Sequence, residues 1–326
     1  MKNRISITLI ALLFIVWGCS KDTNPTDSTL TDEEQIRQEI LNIEGSADED
    51  YFYADMDEES EENFVDSFED SFQKPIIPLR FGRVRLQPMV KNIQIVFTSD
   101  TSAQAYFHKV IRGNFVSLVA DTSEADTLKI YRTIRPMGHE FERIVHFVKR
   151  NDHWMLKDFS MVLGNSLGVI NTSASEIVNS TIQIRKVIVE SNNKEIIITD
   201  PLDYFQTRQN VFSYKPGTSV KLKVHVNNTT LNPVGFPGIP EQTEIIRLHH
   251  ARNRFRRLHK INMFRYVGRD DEGNNVYEGQ WIVGEWPGVH HAAIDVIDNG
   301  TIFDDDVNTY PYNSTTWSTP YKVLRP

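Results

Sequence analysis

The chain has 326 residues, of which 24% are charged and 40% hydrophobic, with a formal net charge of −9. This balance suits a folded globular protein and excludes a general nucleic-acid binder, which needs a basic face against the phosphates. A single cysteine excludes a disulfide scaffold, and no apolar run after it reaches the roughly 20 residues that cross a bilayer.

Lys2 and Arg4 precede an apolar run from Ile5 to Trp17, broken only by Ser6 and Thr8. A charged start, a short apolar stretch and a small residue form the layout of a secretory signal. The stretch ends in Val16-Trp17-Gly18-Cys19, which resembles the lipobox of bacterial lipoproteins, with Trp17 bulkier than usual. The resemblance implies removal of residues 1–18 and acylation of Cys19. It also implies export and a lipid anchor in the cell envelope, and Ser20 after the cysteine implies the outer membrane. Each buried methylene contributes about 0.8 kcal/mol, so two or three acyl chains hold where one would not. Residues 19–31 are rich in Ser, Thr, Asp and Asn and read as a flexible tether.

Thr31 with Glu34 three residues on predicts a helix start, and Ile36, Ile40 and Ile43 supply its apolar face. Phe64, Phe68 and Phe72 predict a second helix. Between them, Asp48 to Asp70 holds twelve acidic residues and no Lys or Arg. That stretch reads as a solvated face or as a cation or basic-partner site. It lacks the glycine and closing glutamate of an EF-hand.

After Pro78 the pattern changes to strands: 82–90, 93–98, 114–120, 127–134, 140–150 and 153–163, with an Asn151-Asp152 turn between the last two. Helices followed by antiparallel strands predict an α+β fold over 32–165. Trp154-x-Leu156-x-Asp158 closes the final hairpin, and with the element order it resembles the nuclear-transport-factor-two-like (cystatin-like) family. The resemblance implies a sheet curled around a cone, which some members use for acid–base catalysis and many only for binding. Strand parity groups Trp154, Leu156 and Asp158 on one face and Ile144, His146 and Val148 on one face of the partner strand. If both faces look inward, His146 and Asp158 can form an acid–base pair.

Two motif-like runs fail on context. His139-Glu140 has Arg143 where a zinc protease needs its second His. Gly164-x-Ser166-x-Gly168 matches a nucleophile elbow, but no β-α alternation surrounds it, so it reads as a turn.

Residues 166–181 read as a linker. From Ile182 to the end, about seven short strands separated by Pro/Gly-rich turns predict a separate all-β sandwich, with Gly288-Val289-His290 resembling the corner of an immunoglobulin-like domain. Three features there suit binding. Arg252, Arg254, Arg256 and Arg257, with His249, His250 and His259 nearby, suit an acidic glycan or phosphate. Asp295, Asp298, Asp304, Asp305 and Asp306 suit calcium, the one cofactor the sequence suggests. Trp281, Trp286, Phe303, Tyr310, Tyr312 and Trp317 suit sugars or a sandwich core. The sequence therefore predicts a lipid-anchored envelope protein with a non-catalytic binding or assembly role. The alternative is an isomerase- or hydrolase-type enzyme built on Asp158 and His146.

Overall fold

The computed structural model describes residues 30–44, 76–121, 129–168, 180–252 and 260–325. Among them strand takes 64% and helix 7%, so the α+β expectation is corrected to a mostly β architecture of curled antiparallel sheets. The helix with Phe64, Phe68 and Phe72 falls outside the described residues. Helix α1 (Asp32–Glu44) forms as its pattern predicts, starting with the reciprocal Thr31–Glu34 cap. Its Ile36, Ile40 and Ile43 pack on one end of the sheet with Phe147, Trp154 and Phe159. Among the described residues no helix is long and apolar enough to cross a membrane.

The strands β1 (Ile76–Arg85), β2 (Val90–Ser99), β3 (Ser102–Asp121), β4 (Lys129–Arg150), β5 (His153–Ser160) and β6 (Val162–Leu167) build the first half. Segments 114–120 and 140–150 are parts of β3 and β4, continuous strands of 20 and 22 residues paired along the whole length of β3. Each half of β3 also serves a second neighbour: β2 pairs with the first half and β1 with the second.

The second half contains β7 (Ile182–Ser191), β8 (Lys194–Ile198), β9 (Phe205–Gln206), β10 (Phe212–Tyr214), β11 (Ser219–Asn228), β12 (Glu244–Arg252), β13 (Lys260–Met263), β14 (Arg265–Arg269), β15 (Asn275–Ile282), β16 (Gly288–Asp298), α2 (Asn299–Phe303) and β17 (Ser314–Val323). Its strands fall into two sheets, one of which continues the first half. β6 pairs with β17, so one sheet runs β1-β3-β4-β6-β17-β16-β12-β13, and a second runs β14-β15-β11-β7-β8.

β12 and β16 belong to two cores at once. Ile246, Leu248, Ile294, Val296 and Trp317 face the second sheet. Ile245, Ala293 and Ile297 face Phe81, Phe115 and Phe141 inside the curl of the first. Burial on both faces removes the alternation that marks a half-exposed strand. β17 reads Ser-Thr-Thr-Trp-Ser-Thr-Pro-Tyr yet nine of its ten residues are buried. Most of its hydroxyls find partners: Thr315 donates to the Gly164 carbonyl at 3.1 Å and Thr319 donates to Gln206 at 2.8 Å, while Ser318 Oγ is buried without one.

Trp317→Ala empties a site inside the shared strand and costs about 3–5 kcal/mol, a fall in Tm of roughly 10 °C. Trp286, 65% exposed, is the control, and its alanine variant should stay within about 0.5 kcal/mol. Thermal melts of the two variants check the contrast, and equal shifts would contradict the shared-core account.

Candidate functional site

His146 and Asp158 do meet. They are cross-strand partners on β4 and β5, with Nδ1 to Oδ1 at 2.5 Å. They meet because of a bulge: the ladder pairs His146 with Asp158 but Phe147 with Leu156, leaving Lys157 as the extra residue. Trp154 and Leu156 remain in the α1 core while Asp158 turns to the opposite face. The pair therefore lies on the side away from the helix, not within the layer that α1 covers. Phe205 of β9 stacks on the imidazole at 4.4 Å. Gln104 Nε2 lies 3.0 Å from His146 Nε2, and Tyr106 donates to Gln104 Oε1 at 2.8 Å. With Nδ1 facing Asp158, His146 turns its other ring nitrogen to the Gln104 amide. A substrate proton reaches that nitrogen only if Gln104 moves.

The other motif residues take structural places. His139 is fully buried, with Nδ1 2.9 Å from the Tyr312 hydroxyl, and burial drives its pKa well below the ordinary value. Ser166 is buried in mid-strand on β6 and accepts from the Ser314 amide at 3.2 Å.

The acidic residues do not converge. Asp295 has no exposed surface. Arg83 of β1 grips it with two nitrogens at 2.6 and 3.0 Å, Arg247 of β12 donates at 2.9 Å, and Ser314 Oγ at 3.0 Å. Burial alone would raise its pKa, but Arg83, a bond from His249 and Arg247 hold it well below the usual carboxylate range. Asp298 caps α2 through the Gly300 amide at 2.8 Å. Asp304 and Asp306 accept from backbone amides of their own turn. Arg135 fastens that turn by donating to the carbonyls of Tyr310, Gly300 and Asp304. Its own pKa falls to about 10 through burial, against the pull of Asp304, Asp305, Asp298 and Asp306. Among the described residues no three His, Cys, Asp or Glu side chains are grouped to hold a metal ion.

Of the arginine cluster, Arg252 ends β12, while Arg254, Arg256 and Arg257 lie outside the described residues. His249 and His250 are buried, not solvent-facing, and burial lowers His250 to about 4.

Two groupings escaped the sequence. Glu244 and Asp298 are buried cross-strand partners, and Asn228 Nδ2 bridges them at 3.1 and 3.0 Å. Burial raises both pKa values, against hydrogen bonds from neutral groups. The available signal was parity, since Glu244 alternates with core residues Ile246 and Leu248. In the second, His225 Nδ1 lies 2.6 Å from Asp270. Partial burial would raise Asp270, but His225 and Asn274 draw it to about 2.

The raised Glu244 pKa has a definite sign. The unfolded carboxyl ionises first as pH rises, so stability is lost between its ordinary value of 4.5 and the raised folded value. Urea unfolding of wild type and Glu244→Gln should show the gap shifting in favour of Gln between pH 4.5 and 7. A gap independent of pH would refute the raised value.

No known protein family matches the chain, and no characterised protein matches its sequence. Among solved structures, that of Astrotactin-2, a vertebrate-specific and perforin-like membrane protein, is similar at 7% identity and a TM-score of 0.22, covering 82% of this chain and 69% of that one. A multidomain portion of Extended-Synaptotagmin 2, its SMP domain with two further domains, is similar at 7% identity and a TM-score of 0.14, covering 76% of this chain and 89% of that one. Likeness this slight carries no argument about function.

Proposed function

We propose that the protein is exported, lipid-anchored through Cys19 in the bacterial cell envelope at the outer membrane, and serves there in binding or assembly. The observation that carries this reading is the Val16-Trp17-Gly18-Cys19 run after a short apolar segment, in a chain with no other cysteine. A lone thiol in an oxidising compartment is a liability unless acylation consumes it. Envelope proteins and acidic glycans are the partners such a location offers. Cys19→Ala should move the protein from the membrane fraction to the soluble fraction, followed by immunoblot. Unchanged membrane association sinks the anchor.

A second reading, an acid–base enzyme of isomerase or hydrolase type, draws on the 2.5 Å contact between His146 and Asp158. Turnover of a chromogenic ester panel by wild type that vanishes in Asp158→Asn supports it. Turnover unaffected by that substitution, or none in wild type, removes it.

A further inference from the structure

Trp286 is 65% exposed, whereas Trp154, Trp281 and Trp317 are at most 4% exposed. It stands in the loop between β15 and β16, where Ile282, at the end of β15, is also exposed. A lone exposed apolar residue is ordinary, but this loop is ringed by cations. The Gly217 amide donates to the Val283 carbonyl at 2.9 Å, which sets the turn with exposed Lys215 against the loop. On the other side Val289 pairs with Lys322 of β17, and exposed Arg325 follows that strand. β12 ends nearby at Arg252, opposite His291, and β13 begins at Lys260. The one acid in these segments is Glu285. In a chain of net charge −9 this end is therefore a basic exception.

The strand directions place this loop toward the root of the lipid tether. Lys149 Nζ donates to Asp32 at 2.7 Å, which fixes the start of α1 beside the turn that ends β4. β4 is antiparallel to β6, and β6 to β17, so β4 and β17 run the same way and β16 runs against them. One rung, Glu142↔Leu163↔Trp317↔Ile294, crosses all four strands. From it β4 proceeds to Arg150 and β17 to Val323, and β16 begins on that same side at Gly288. Fully extended, the chain from Cys19 to Asp32 reaches at most roughly 45 Å. β4, with 22 residues, is about 70 Å long. A lipid on Cys19 thus holds a membrane nearer to the Trp286 end than to the Lys129 end of β4.

We propose that this end docks on the anionic bilayer that holds the lipid, with Trp286 and Ile282 entering the headgroup layer and Lys215, Lys322 and Arg325 meeting lipid phosphates. An indole settles at that depth because its ring is apolar and its N–H is polar. Basic side chains are drawn to an anionic surface within a Debye length of it. An acidic glycan offers the cations the same charge but no apolar layer for Trp286 and Ile282, so the bilayer is the better occupant. Docking would add a second hold to the acyl chains and fix which side of the body faces away from the membrane. The inference deepens the envelope reading and rests on it for the membrane.

The test uses the protein purified from cells and reconstituted into vesicles of equimolar phosphatidylcholine and phosphatidylglycerol, with plain or brominated acyl chains. Bromine quenches an indole only near contact. Trp286 emission, read as the difference between wild type and Trp286→Phe, should fall several-fold in the brominated vesicles. Pure phosphatidylcholine or high salt should remove most of that fall. The triple variant Lys215→Glu, Lys322→Glu, Arg325→Glu should remove it as well; should it fail to fold, the lipid and salt comparisons on wild type decide alone. Three outcomes overturn the proposal: no fall in brominated vesicles, an equal fall in pure phosphatidylcholine, or emission that responds to dextran sulfate but not to bromine, which points to a glycan. Release of Cys19→Ala from membranes without bromine quenching ends the docking alone. Bromine quenching with Cys19→Ala retained on membranes ends the anchor alone.

Discussion

Asp295, with no exposed surface and held by guanidiniums from two different strands, is the interaction on which the arrangement of the first sheet depends. Arg83 sits on β1 and Asp295 on β16, five strands along the sheet. They touch only if the sheet curls back on itself, and Phe81 and Phe115 fill the space enclosed. Removing one partner from a buried pair leaves an uncompensated charge and costs about 3–5 kcal/mol, although the intact group need not outdo an apolar replacement. Its contribution is to exclude other curvatures and registers, since a slip of one residue would turn Asp295 into the sandwich core, away from both arginines.

The same constraint explains what was legible in the sequence and what was not. α1, the Asn151-Asp152 hairpin and the strand-rich second half follow from local pattern, and positive φ at Asn151 and Asp152 fits the tight turn. The error lay in composition-based layering. With a second helix expected and β3 and β4 divided into short pieces, the first half resembled helices on a small sheet. Long-range pairing of β6 with β17 has no local signature. β17 itself was obscured because its Ser and Thr residues suggest an exposed strand, whereas most of their hydroxyls are satisfied inside.

The candidate acid–base pair was found for a partly mistaken reason. Parity placed Asp158 with Trp154 and Leu156, and parity holds only in a regular strand. The bulge at Lys157 reverses it, bringing Asp158 to His146 on the other face. A bulge of this kind has no glycine or proline to announce it. The candidate cation ligands, five aspartates close in sequence, are distributed by β16 and α2 among an ion cluster, a helix cap and a turn.

Two buried carboxylate arrangements share the ladder between β12 and β16, where Arg247 faces Asp295 and Glu244 faces Asp298 three residues away. An odd offset places the two pairs on opposite faces of the sheet. On one face the curl delivers Arg83 and Arg247, so the carboxylate remains ionised to low pH. On the other face the second sheet delivers Asn228, Asn275 and Thr230, which donate hydrogen bonds but carry no charge. Amide donors offset only part of the desolvation penalty of two adjacent anions, so these groups favour protons. Acid therefore weakens the curl through Asp295, while rising pH weakens the contact between sheets through Glu244 and Asp298. The stability of this fold is bounded from both directions by neighbouring rungs of one ladder.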